Sequence, residues 1–202
     1  MTSGLASILA YIGAFAGVLG GSVALYNARK AVHWKTAELA SKYLKELRTN
    51  EELIFACRAL EWNGGRLVVP DQLCPLLPDN SKVIAHSPSV LRSSMRPNLT
   101  AAELDGDFRI QIYRTALDAL LSWLNSVDNA LERKLFCADD ISEAGYWIQH
   151  IEHLQFLDNF IEAFGYSNAT QRLRLAFRDV YTDYKEGGKH LPKDVRCAGA
   201  DG

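Results

Sequence analysis

Residues 113–135 read YRTALDALLSWLNSVDNALERKL, and their spacing decides the fold class. Tyr113, Leu117, Leu120, Leu124, Val127, Leu131 and Leu135 follow one another at intervals of four and three. On a helix of 3.6 residues per turn those intervals fall on a single face, so the segment predicts a long amphipathic helix with one apolar seam. Such a face must be covered, and the flanking sequence offers other helices to cover it.

Upstream, Thr100 with Glu103 forms a capping box that opens this region. Downstream, Asp140 with Glu143 predicts the start of a helix over DISEAGYWIQHIEHLQFLDNFIEAF, with Trp147, Ile151, Leu154, Ile161 and Phe164 as its seam. Asn168 with Gln171 predicts another, with Leu173, Phe177, Val180 and Tyr184 in register and Gly187-Gly188 as its end. The breaks at 137–140 and 165–168 are short, which favours antiparallel neighbours in an all-α helical bundle. Thr49 with Glu52 predicts a further helix running through Trp62, stopped by Asn63-Gly64-Gly65. The helical pattern lapses over 66–99, where Pro70, Pro75, Pro78, Pro88 and Pro97 cluster, and a long Pro-rich loop with a short strand at RLVV is expected.

The N-terminal stretch is of another kind. Residues 1 to 28 carry no charged side chain, and the first charges are Arg29 and Lys30. Gly4 to Tyr26 as a helix reaches roughly 34 Å, enough for a hydrocarbon layer of about 30 Å. Lys35, Lys42 and Lys45 follow Arg29 and Lys30, and no Lys or Arg precedes the segment. By the positive-inside rule the reading is a single-pass anchor in the inner, cytoplasmic membrane, N-terminus outside and C-terminal domain cytoplasmic. A cleaved export signal has a basic start and a shorter apolar core. The helix is expected to continue past the membrane into the bundle. The domain reading is therefore 1–28 anchor, 29–188 bundle containing the 66–99 loop, and 189–202 flexible tail. Gly13, Gly17 and Gly21 recur every four residues and would let two spans approach closely, so self-association through the transmembrane helix is expected alongside the lipid bilayer as partner.

Composition narrows the function classes. The chain has 22 Lys+Arg against 24 Asp+Glu, a net charge of −2, which gives no general attraction to nucleic acid. Cys57, Cys74, Cys137 and Cys197 form no C-x-x-C pair, and in a cytoplasmic domain they are expected as free thiols. His150 and His153 lie three apart, near Glu143, and offer a weak metal or interface site. The chain holds no Glu-x-x-His, so a di-metal carboxylate bundle does not follow, and neither metal nor cofactor is expected. No nucleophile elbow or phosphate loop is present.

The stretches WKTAELASKYLKELRTNEELIFACRALEWN (34–63) and FRIQIYRTALDALLSWLNSVDNALERKLFCADDISEAGYWIQHI (108–151) resemble a broad group of uncharacterised bacterial proteins with one N-terminal span and a helical cytoplasmic domain of unknown function. The likeness is in Trp-Lys-x-Ala-Glu and the Leu-x-Trp-Asn ending. It implies the same location and fold and supplies no catalytic residue. The functional expectation is a membrane-anchored interaction, scaffold or sensor module with a cytoplasmic protein partner. The alternatives are an oligomerising membrane effector subunit and an anchored enzyme with an unrecognised site.

Overall fold

The computed structural model describes residues 2–78 and 82–185, with side chains described for 20–78 and 82–178. It divides into two compact units, Met1–Leu39 and Ala40–Gly202. The first unit consists of most of α1, which runs Thr2–Thr49. In it Val23, Leu25, Tyr26, Val32 and Trp34 are exposed, Trp34 at 69%. Among the described residues no helix is long and apolar enough to cross a membrane. The greater part of the expected span, with Gly13 and Gly17, lies outside the residues whose side chains are described. Gly21 is within them, exposed, and a Cβ built there meets nothing within 4 Å.

The second unit is helical, as its periodicity predicts, and is organised on α5, Phe108–Glu132. Asp107 caps it by accepting the Arg109 N–H at 3.0 Å. Tyr113, Leu117, Leu120, Leu124 and Val127 of the predicted seam are buried, with Ile112 and Ala116 beside them. The seam was expected to reach Leu135, yet Leu131 is half-buried and Leu135 is 43% exposed. The helix ends first. Lys134 takes a left-handed φ of 56°, Lys134 N–H donates to Leu131 O at 2.9 Å and Leu135 N–H to Ala130 O at 3.0 Å. That is a Schellman close with lysine where glycine is usual. Asn125, beside the buried Leu124, is half-buried.

Around α5 pack α2, Glu51–Glu61; α3, Pro88–Ser94; α4, Ala101–Gly106; and α8, Ser167–Lys185. The Thr100–Glu103 capping box forms, but it opens the short α4, not α5. The cap of α2 is Asn50, whose carboxamide oxygen accepts from Glu52 and Leu53 N–H at 2.9 and 3.4 Å. Thr49 is still inside α1, with its hydroxyl turned back to Lys45 O at 2.8 Å. The expected loop over 66–99 has structure of its own. Gly65, at φ 103°, turns the chain into β1, Arg66–Val68, which pairs antiparallel with β2, Val83–Ala85. Leu67 faces Ile84 across the register and both are buried, while Val68 and Val83 are exposed. A 3-10 turn over Asp71–Leu76 buries Leu73, and α3 starts with Pro88 behind the Ser87 cap.

The helix expected over 140–164 is two. α6, Ser142–Glu152, ends at His153, and after a 3-10 turn over Gln155–Leu157 α7 runs Asp158–Ala163. Phe164, expected in the seam, is 45% exposed because it lies past the end of α7. Gly165, at φ 80°, closes α7 in a second Schellman arrangement, with Gly165 N–H on Glu162 O at 3.2 Å and Tyr166 N–H on Ile161 O at 2.9 Å. α6 packs on α8 at Gly145, where a Cβ would stand 2.7 Å from Cδ1 of the buried Phe177. Leu173 is buried as expected; the side chains of Val180 and Tyr184, and all of Gly187, Gly188 and the 189–202 tail, lie outside the described residues. Cys57 and Cys74 are free thiols, whereas Cys137 is disulfide-bonded, so four free thiols is not the outcome.

Candidate functional site

Of the residues singled out by sequence, Glu143 and His150 lie on the joint between α2 and α6. Arg48, at the end of α1, donates from Nε and Nη2 to Glu143 Oε2 at 3.0 and 2.7 Å. One helical turn along, the Tyr146 hydroxyl donates to Glu61 Oε1 at 2.8 Å. His150 Nε2 donates to Leu60 O at 3.4 Å, and its ring lies parallel to Tyr146 and edge-on to Trp147. His153 is not part of this arrangement: it caps α6 and is exposed. Among the described residues no group of three His, Cys, Asp or Glu side chains is arranged to hold a metal ion. Glu143 and Glu61 are committed to protein partners.

Cys57 lies beneath this joint. Burial, and after it the charges of Glu61 and Glu143, push its thiol up to about 12. At neutral pH it stays protonated and is a poor nucleophile. The α2–α6 joint thus holds helices together by polar contacts.

A second polar centre was not read from the sequence. His86, at the end of β2, is 7% exposed. Its Nε2 lies 2.8 Å from Trp62 O and its Nδ1 2.8 Å from the Tyr113 hydroxyl. A carbonyl can only accept, so Nε2 carries the proton and Nδ1 accepts from Tyr113. The Tyr113 oxygen in turn accepts Ser87 N–H at 3.3 Å. Every partner is satisfied in this arrangement, and the end of α2, the hairpin and α5 are tied at one point. Burial raises the Tyr113 pKa, which keeps the hydroxyl protonated and donating. A single histidine before Ser-Pro carries no periodic signal that would have marked it.

Two further links fix α5 to the C-terminal elements. Asp128, 3% exposed, is held by Arg172 of α8, whose Nε donates to both carboxylate oxygens at 3.1 Å. Tyr166, placed by the Gly165 turn, donates to Asp118 Oδ1 at 2.7 Å, and the Ser122 hydroxyl meets its oxygen at 2.8 Å. At the other end of α5 a groove of about 450 Å³ is lined by Leu77, Pro78, Val83, Phe108, Asp107 and Arg109. Its two charges are spent on each other: Arg109 Nε lies 2.9 Å from Asp107 Oδ1, and that pairing lowers the Asp107 pKa.

In comparisons with known proteins, the chain matches no family model, no curated protein and no solved structure.

Proposed function

We propose that this chain is a membrane-anchored helical module that acts by binding other proteins, the charge-free start of α1 serving as the anchor and the second unit carrying the partner surface. The observation that carries the reading is the coincidence, on α1, of a helix with no charge before Arg29 and a run of exposed apolar side chains (Val23, Leu25, Tyr26, Val32 and Trp34). Large apolar groups left uncovered on one element mark a surface that meets lipid or protein. The lysines and arginine just after the segment suit the cytoplasmic headgroup region. The resemblance of residues 34–63 and 108–151 to single-span bacterial proteins is in keeping with this.

A second reading, self-association through the span, draws on Gly13, Gly17 and Gly21. The open space at Gly21 accords with it.

Orientation is where two observations pull apart. The charges favour a cytoplasmic second unit, but a disulfide at Cys137 belongs with an oxidising compartment. The inward orientation follows the cations that succeed the span. A phosphatase that is active only outside the cytoplasm, fused after Gly202, is expected to be silent; full activity overturns the inward orientation.

A further inference from the structure

Arg29, Lys30 and Lys35 are the only Lys, Arg, Asp or Glu residues before Glu38, so this stretch carries three cations and no carboxylate. All three lie on the part of α1 that belongs to the first unit, Met1–Leu39, and all three are exposed. Among the described residues none of them is ion-paired. Their field is uncompensated along this part of the helix, and it favours an anionic surface.

The three do not share a face. Lys30 stands about 100° round the helix from Arg29, Lys35 about 140° beyond Lys30, and about 120° more closes the circle. They form a collar, not a stripe. The exposed apolar side chains of the same stretch, Leu25, Tyr26, Val32 and Trp34, fall on three sides of the helix as well. A protein groove takes up one face of a helix, whereas lipid surrounds it, so a collar of charge fits a bilayer surface better than a docked protein.

Height along the axis agrees. With Tyr26 at the edge of the hydrocarbon, Arg29 and Lys30 stand roughly 4.5–6 Å beyond it, within a headgroup layer about 5–8 Å deep on each side. Lys35 stands about 7–9 Å farther out, near the limit of a surface potential that decays over about 8 Å. The Cα–Cβ bonds of a helix tilt toward its N-terminus, so all three stems set out toward the bilayer.

On the anchor reading above, on which this rests, we propose that the collar gathers anionic phospholipids around α1, with Arg29 and Lys30 meeting headgroup phosphates and Lys35 acting through the surface potential. Guanidinium and ammonium groups both bind phosphate by charge-assisted hydrogen bonds.

The test reconstitutes the full chain in phosphatidylcholine vesicles holding a trace of phosphatidylglycerol or phosphatidylcholine, spin-labelled low on one acyl chain. Electron paramagnetic resonance then counts the label slowed at the protein surface. Phosphatidylglycerol is expected to occupy that lipid shell roughly two- to fivefold more readily than phosphatidylcholine, about fivefold being the effect of one cation close to the surface. The preference falls toward one in about 1 M salt, where the screening length is about 3 Å. Arg29→Gln with Lys30→Gln is expected to remove it, Lys35→Gln to leave most of it, and Arg29→Lys with Lys30→Arg to keep it. Equal occupancy by the two lipids around the unaltered chain, or a preference unchanged in the double glutamine variant, overturns the proposal, while the slowed phosphatidylcholine still upholds the anchor. If neither label is slowed, the chain is not in the bilayer, and the anchor falls together with the collar.

Discussion

Tyr113 and His86, 27 positions apart in the chain, meet at 2.8 Å with the tyrosine hydroxyl donating to the histidine Nδ1. The pair stands where three elements converge, because His86 also reaches Trp62 O and Tyr113 also accepts from Ser87. Tyr113→Phe keeps the ring and its packing on Phe55 but leaves a buried imidazole nitrogen and a backbone N–H without partners. Stability should fall by about 1–3 kcal/mol, read from urea unfolding. A change within a few tenths of a kcal/mol would mean that the hydrogen-bonded centre does not tie the hairpin to α5.

Alkaline pH should act through Cys57. Its folded-state thiol is pushed up to about 12, against an ordinary value of about 8.5. The group therefore contributes stability that is fully present below the unfolded value and is lost as pH rises toward the folded one. Between about pH 9 and pH 12 the loss should approach 1.4 kcal/mol per pH unit. The raised values of Tyr113 and Tyr166 add in the same direction above about pH 10. Unfolding midpoints measured near pH 8 and near pH 10.5 check this. Cys57→Ala should flatten the difference, and an equal slope in that variant would remove Cys57 as its source.

Two glycines should separate crowding from backbone strain. At Gly145 an added methyl meets the buried Phe177 ring at 2.7 Å, so overpacking of about 1–3 kcal/mol outweighs the roughly 1 kcal/mol that alanine gains as a helix former. At Gly165 there is open space but φ is 80°, and alanine should cost about 1–2 kcal/mol through backbone strain alone. Gly106→Ala, with open space and no positive φ, should be near neutral. Thermal unfolding of the three variants gives the ranking.

The helical class was legible because the seam from Tyr113 to Val127 has one period and one buried face. Element ends were less legible. Asn50 takes the cap from Thr49 because its carboxamide oxygen accepts two N–H groups while threonine bonds back into α1. The break after Glu152 has no Gly or Pro to announce it. The hairpin over 66–85 is made of three-residue strands, too short for an alternation to show. Of the residues proposed for a site, Glu143 and His150 share the α2–α6 joint and His153 does not, since α6 ends on it. His86 stayed hidden because its role depends on partners far along the chain.

The proposed function rests first on the charge-free start of α1 holding the chain in a bilayer. Alkaline carbonate extraction of membranes from cells making the full chain is the decisive measurement, since it strips peripheral proteins and leaves spanning helices behind. The chain is expected to stay in the membrane pellet, and replacing Gly17 and Val18 with arginine, each costing about 2.5–3.5 kcal/mol at the middle of a span, is expected to release it. Release of the unaltered chain into the carbonate supernatant would rule the anchor out.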